Sequence, residues 1–322
     1  MLAYARYLSR VACPAPLILH HIVSIALLLV PDFALILFGV ALRRWFDSSL
    51  DFWGGLERLI YYVLFPALLF AANARTRIDF AAAAPMLLAG LGAVLVGIVL
   101  AALARPLFHP SAATFGGGFQ CAFRFNSYVG LALIGQLHGQ PGLAAMSLML
   151  GVAIPVVNVV AVWSLAHRTG HLGRELARNP LILGTLSGIA FSLAGLDLPD
   201  AGWEVLKRLG TATLPLALLA VGAGLRLERS RGDTALVVWW TIVKLAAMPA
   251  AAWLLGRILD LEPLALHTVV LFAALPPATS AYILAVRMNA DAQIAAVMIS
   301  AGTLIGMVSL PLWLIAIGVV VR

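Results

Sequence analysis

The sequence predicts an all-α, polytopic membrane protein: ten transmembrane helices in two inverted five-helix repeats, with helices four and nine broken. Three observations predict this class. First, 62% of the 322 residues are hydrophobic and 11% are charged, with a mean hydropathy of +1.01; a soluble domain is nearer ~45–50% apolar and ~25% charged. So few charges cannot cover so much apolar surface in water. Second, apolar runs of about 20 residues, the length that crosses a bilayer, recur along the whole chain. Third, polar and helix-breaking residues interrupt two of these runs at matching places in the two halves.

Residues 1–21 carry Arg6, Arg10, Cys13, Pro14, Pro16 and the His20–His21 pair around a weak apolar run. Basic residues lead, but no small-residue cleavage site follows the long apolar stretch. The segment therefore reads as a disordered or interfacial tail, or an overcalled start, more than as a signal peptide. The first repeat, 22–166, holds spans at 22–42, 53–73, 80–103, 112–136 and 142–166. A cytoplasmic connector, 167–179, leads to the second repeat, 180–319, with spans at 180–196, 205–225, 234–256, 264–286 and 293–319. The sixth span is short before Gly195, and the tenth is long enough to tilt or to kink at Pro311.

The net charge of +7 would suggest nucleic acid in a soluble chain, but these cations sit in short loops and set orientation instead. Arg43, Arg44, Arg105, Arg168, Arg174, Arg178, Arg226, Arg229, Arg231 and Arg287 on one side outnumber Arg75, Arg77, Lys207, Arg208 and Arg257 on the other. With ten spans the termini share a side, and the loop charges place both in the periplasm of a bacterial inner membrane.

The halves echo one another at an offset of about 150 residues. Glu57-Arg58-Leu59 followed by Pro66-Ala67-Leu68-Leu69 matches Lys207-Arg208-Leu209 followed by Pro215-Leu216-Ala217-Leu218-Leu219. Asn126-Ser127-Tyr128 faces Thr279-Ser280-Ala281-Tyr282, and Leu143-Ala144-Ala145 faces Ile294-Ala295-Ala296. Apolar chains match one another cheaply, but three matches in the same order argue for a repeat. Five spans is an odd number, so the second repeat enters from the opposite face, the inverted plan of many secondary transporters.

Pro276-Pro277 sits in mid-span nine. Two prolines remove backbone donors and break a helix, and the freed carbonyls must line protein or a wet cavity, not lipid. Thr279, Ser280 and Tyr282 beside them can hydrogen-bond a ligand. Span four lacks proline; Gly116-Gly117-Gly118 and Arg124-Phe125-Asn126-Ser127-Tyr128 are read as flexible and unusually polar. An arginine at mid-membrane marks a paired or functional site. Arg124 can hold a carboxylate, pair with Asp32 or snorkel. Asp32 and Lys244 are the other charges inside spans, read as coupling or charge-balancing groups or as structural partners.

No P-loop, zincin or nucleophile-elbow motif occurs, so an enzyme or ATP-driven pump is not expected. Cys13 and Cys121 lack metal or redox spacing. No cofactor, no metal and no nucleic-acid partner is expected.

Taken in order, Pro31 to Arg43-Arg44, Leu64-Phe65-Pro66-Ala67-Leu68-Leu69-Phe70, Phe123-Arg124-Phe125-Asn126-Ser127-Tyr128-Val129-Gly130, Asn179-Pro180 and Pro276-Pro277-Ala278-Thr279-Ser280-Ala281-Tyr282 resemble the auxin efflux carrier (PIN-type) family. The likeness is to its bacterial malonate or malate transporter-like members, over residues 24–322. The resemblance implies a scaffold of helices 1, 2, 6 and 7, a mobile transport domain of helices 3–5 and 8–10, and a homodimer formed through the scaffold. It also implies a crossover at Phe125, Asn126 and Ser127 against Pro276, Pro277 and Ala278. The family pattern has a proline at the span-four crossover and an asparagine after the span-nine one; this chain departs at both.

The expected function is alternating-access transport of a small mono- or dicarboxylate such as malonate or malate across the inner membrane. The substrate-binding residues would be Arg124, Asn126, Ser127, Tyr128, Thr279, Ser280 and Tyr282. Its rivals are a membrane receptor or sensor that keeps the fold without transporting, a channel, and a sodium-coupled carrier like the bile-acid symporters. Short loops disfavour the sensor, and the lack of an acid beside the crossover disfavours sodium.

Overall fold

The computed structural model describes residues 30–31, 33–45, 50–75, 80–165, 180–225, 234–278, 280–288 and 290–319. The expectations for the 1–21 tail, the 167–179 connector, Asp32 and Thr279 lie outside the described residues.

Every regular element among the described residues is helical. Helix α1 covers 33–45. Helix α2 (Leu50–Leu59) passes through one π turn, Ile60–Leu64, into α3 (Phe65–Ala74). Then come α4 (Phe80–Ala102), α5 (Ala104–Phe108), α6 (Ala112–Phe119) with a 3₁₀ turn at Gln120–Ala122, and α7 (Ser127–Leu165). The second half gives α8 (Pro180–Leu193), α9 (Asp200–Gly224), and α10 (Thr234–Ile242), which runs through a π turn, Val243–Ala247, into α11 (Met248–Ile258). It ends with α12 (Pro263–Ala274), α13 (Ser280–Arg287) and α14 (Ala292–Ala316).

Among the described residues, 6 helical stretches are long and apolar enough to cross a membrane: Asp51–Ala74, Ala83–Phe108, Ala112–Ala161, Asp200–Gly224, Thr234–Ile258 and Ala292–Ala316. Leu183–Leu193 and Pro263–Ala274 are apolar but shorter. The Ala112–Ala161 stretch has 50 residues. Laid straight it would be on the order of 75 Å long, against a hydrocarbon core of ~30 Å. It is not straight. Residues 123–126 leave the helix, and Gly139 (φ 57°, ψ −140°) interrupts α7. The chain turns back there, since Gly135 lies against Leu143. Glycine takes that left-handed backbone without cost from a Cβ.

The prolines at 66, 249 and 311 are absorbed rather than made into breaks. A π turn precedes Pro66 and another precedes Pro249; the Phe65 and Met248 N–H groups reach back five residues, to the Ile60 and Val243 carbonyls. Pro249 has no N–H for the Leu245 carbonyl four residues earlier. The Trp313 indole N–H takes its place at 2.9 Å. Helix α14 continues through Pro311 without a break.

The heaviest packing falls into two groups joined by α7. In one, α3 lies between α8 and α9. Gly184 and Gly188 of α8 sit against the backbone of Pro66 and Phe70, the small-xxx-small spacing that brings membrane helices close. Gly39 of α1 meets Gly222 of α9, and Arg43 Nη1 donates to the Ala223 carbonyl. In the other group α12 packs on α4, α7, α11 and α14, and α13 on α14 and α6. Helix α7 touches both groups; Asn73 Nδ2 of α3 donates to Ser147 Oγ of α7 at 2.6 Å.

Candidate functional site: the meeting of two broken helices

The break between α6 and α7 has no proline, so side chains and a neighbouring strand of backbone must end one helix and start the next. Asn126 starts it. Its Oδ1 accepts from the Tyr128 and Val129 N–H groups at 3.1 and 3.4 Å, as an N-cap does. Its own N–H donates to the Pro276 carbonyl at 2.9 Å. One residue therefore caps the second half of a broken helix and ties it to the break in the other.

The second break covers residues 275–278, between α12 and the start of α13 at Ser280. Pro276 and Pro277 are buried here. Gly302 and Gly306 of α14 make the room, Gly302 facing the Pro277 ring and Gly306 facing Pro276. The Ala278 carbonyl accepts from the Ala281 N–H at 3.0 Å, opening the first turn of α13. Phe125 packs on Phe272 with ring centroids 4.5 Å apart. All six residues expected at the crossover thus lie in or beside the two breaks. Two helix amino ends, those of α7 and α13, start there and bring partial positive charge.

Arg124 is 9% exposed. It is held inside, which removes the snorkelling alternative. Nη1 donates to Gln120 Oε1 at 3.0 Å and Nη2 to Ser280 Oγ at 3.1 Å. Gln120, one helical turn earlier, also sends Nε2 to the Ala281 carbonyl at 3.2 Å. Arg124 and Gln120 thereby bind the first broken helix to the amino end of α13. Gln120 was not singled out from the sequence; its spacing of four residues before a buried arginine is the signal that finds it.

Among the described residues, ion pairs join only Glu204 to Lys207 and Arg208. Arg124 and Lys244 are thus two buried cations with no carboxylate among the described residues within ion-pair distance. Lys244 is fully buried and donates to the Ala273 carbonyl at 3.0 Å. Asn126 Nδ2 is buried without a hydrogen-bond partner, a group that costs ~1–3 kcal/mol to leave unpaired.

The remaining expected site residues divide. Ser127 opens α7 beside Asn126. Tyr128 stacks on Phe65 of α3, centroids 4.5 Å apart, so it faces the α3 group. Tyr282 lies in the first turn of α13 and packs on the core. Gly116, Gly117 and Gly118, expected to be flexible, lie in the regular helix α6. Gly117 and Gly118 allow close approach: a Cβ at Gly117 would strike the Asp291 carbonyl and one at Gly118 the Trp240 ring. No group of three or more His, Cys, Asp or Glu side chains able to hold a metal occurs among the described residues.

Apolar helices packed about a polar, doubly broken centre are the plan of many secondary transporters. Residues 168–314 match the model of the family described as membrane transport protein, a match in keeping with the resemblance read from the motifs. A Rhizobium meliloti protein named "Putative malonate transporter" is 28% identical over 283 residues, covering 80% of this chain and 84% of that protein. A Methanothermobacter thermautotrophicus protein named "Uncharacterized transporter" is 25% identical, covering 80% of this chain and 87% of its own length. An Escherichia coli protein named as an uncharacterized transporter is 25% identical over 58% of this chain and 63% of its own length. The protein is a multi-pass membrane protein whose relatives are named transporters.

Proposed function

We propose that the protein is a secondary carrier that moves a small organic anion, a mono- or dicarboxylate such as malonate or malate, across the bacterial inner membrane by alternating access. The observation that carries this reading is the charge and hydrogen-bonding balance of the crossover. Two buried cations and two helix amino ends meet there, no carboxylate among the described residues pairs with the cations, and Asn126 Nδ2 is a buried donor without a partner. An anion with carboxylate oxygens supplies what that centre lacks. The Rhizobium relative's name points to the same class of substrate.

In this reading the ten expected spans form two inverted five-helix repeats. Spans one, two, six and seven are the scaffold; three to five and eight to ten are the moving body. The grouping of α2, α3, α8 and α9 apart from α4, α6 and α10–α14, with α7 in contact with both, supports that division. Substrate rests between Arg124, Asn126, Ser127 and Tyr128 on one side and Thr279, Ser280 and Tyr282 on the other. The stack of Tyr128 on Phe65 marks the surface along which the two bodies slide. Both termini are periplasmic and the scaffold forms the homodimer.

Counterflow in proteoliposomes tests this reading without knowledge of the driving ion. Vesicles preloaded with unlabelled malonate, malate, lactate or indole-acetate are given the labelled compound outside. Transient accumulation with one of them, lost in Asn126→Ala, is expected. No accumulation with any, in protein shown to be folded, refutes the carboxylate assignment.

A further inference from the structure

Lys244 is a fully buried cation that the transport reading does not need for contact with substrate, and its surroundings say what it does. It lies in the π turn Val243–Ala247 and touches two groups: the Ala273 carbonyl at 3.0 Å and Met248 Sδ at 3.9 Å. Ala273 is in the last turn of α12, which ends at Ala274. The last carbonyls of any helix lack a partner within it. Here the shortage is deepened, because the residues four places after Phe272 and Ala273 are Pro276 and Pro277, which carry no N–H. The end of a helix also carries partial negative charge, and this end is buried, where water cannot answer it. Carriers with broken helices commonly coordinate a coupling cation at such carbonyl ends.

We infer that the Lys244 side chain is a built-in cation of the crossover: its ammonium occupies the carbonyl end of α12 where an ion-coupled carrier would bind an inorganic cation, so anion movement needs no sodium. The inference rests on the carrier reading and adds the coupling to it. A tethered ammonium travels with the moving body, contributes one positive charge in both facing states, and cannot be released. It also offsets the anion's charge from behind the site while Arg124 faces the breaks.

The prediction separates charge from hydrogen bonding. Lys244→Gln keeps a donor for the Ala273 carbonyl and removes the charge; Lys244→Arg keeps the charge; Lys244→Ala opens room for a small ion. Melting temperatures of purified protein read the site itself, and counterflow reads transport. Wild-type counterflow is expected to be equal in sodium and in choline salts. Lys244→Arg should retain at least about a tenth of the rate and Lys244→Gln should lose more than about tenfold, the cost of roughly 1.4 kcal/mol. Lys244→Ala should melt lower than wild type and be raised selectively by ethylammonium or sodium over choline at equal ionic strength, as a ligand that binds only the folded state does. If Lys244→Ala does not fold, the Arg and Gln variants still decide. Full activity of Lys244→Gln, or a wild type that requires sodium, overturns the built-in cation. A wild type silent with every anion instead refutes the carboxylate assignment, while the melting series still reports on Lys244.

Discussion

Asn126 does two things and leaves a third group open: it caps α7, its N–H reaches Pro276, and its Nδ2 is buried without a hydrogen-bond partner. Asn126→Ala should lower stability by about 0.5–2 kcal/mol through the lost cap and remove counterflow. Asn126→Asp keeps the cap but replaces the donor with a negative charge; it should stay folded and lose anion transport, read by melting and counterflow together. Outside the membrane, Asp197 shows charge used for local order. The Trp203 indole N–H donates to it at 2.8 Å and the Leu198 N–H at 2.9 Å, and these bonds, with Arg75 nearby, hold its carboxyl below the usual range. A lowered carboxyl keeps its contribution above the ordinary carboxylate pKa and loses it as pH falls through the lowered value. The Trp203 environment should therefore stay constant from neutral pH down through the ordinary carboxylate range and change only in stronger acid. Fluorescence of the protein against Asp197→Asn checks this; a change centred near neutral pH would contradict it.

At the scale of elements, proline and its compensations are the main theme. Trp313→Phe removes the donor that serves the Leu245 carbonyl and should cost ~1–3 kcal/mol in thermal or denaturant unfolding. The loss should shrink when Pro249→Ala restores a backbone N–H nearby. Gly302→Leu forces a side chain into the Pro277 ring and should destabilise by ~1–3 kcal/mol, with transport falling along with it. The prolines were legible in the sequence, but what surrounds them was not. Pro276-Pro277 announces a break because two missing donors leave no other outcome. The π turns before Pro66 and Pro249, and the indole that answers Leu245 from residue 313, depend on partners distant in sequence. The break at 123–126 was read from polarity alone. Its mechanism, an asparagine cap tied to a carbonyl 150 residues away in the chain, needed the second helix to be in place. The glycines at 117 and 118 were misread for the same reason, since close approach to Asp291 and Trp240 has no local signature.

Across the whole molecule, hydropathy was enough to establish an all-helical membrane protein, because composition alone fixes which solvent the surface meets. It could not group the helices, because lipid-facing and helix-facing residues are equally apolar. The Asn73–Ser147 bond joins the two groups, and Asn73 Oδ1 is buried without a partner. Ser147→Ala should shift the balance between the two facing states more than it lowers the melting temperature, read by altered exchange rates on the two sides. Alternating access at the crossover is the claim on which everything else turns. It is tested most directly by a single cysteine at 280, Ser280→Cys, in protein lacking Cys13 and Cys121, reconstituted and exposed to an impermeant thiol reagent from each face in turn. The account predicts labelling from either face, slowed on both by the anion that supports counterflow. Labelling confined to one face in transporting protein, or labelling from both faces that the anion leaves unchanged, would contradict it.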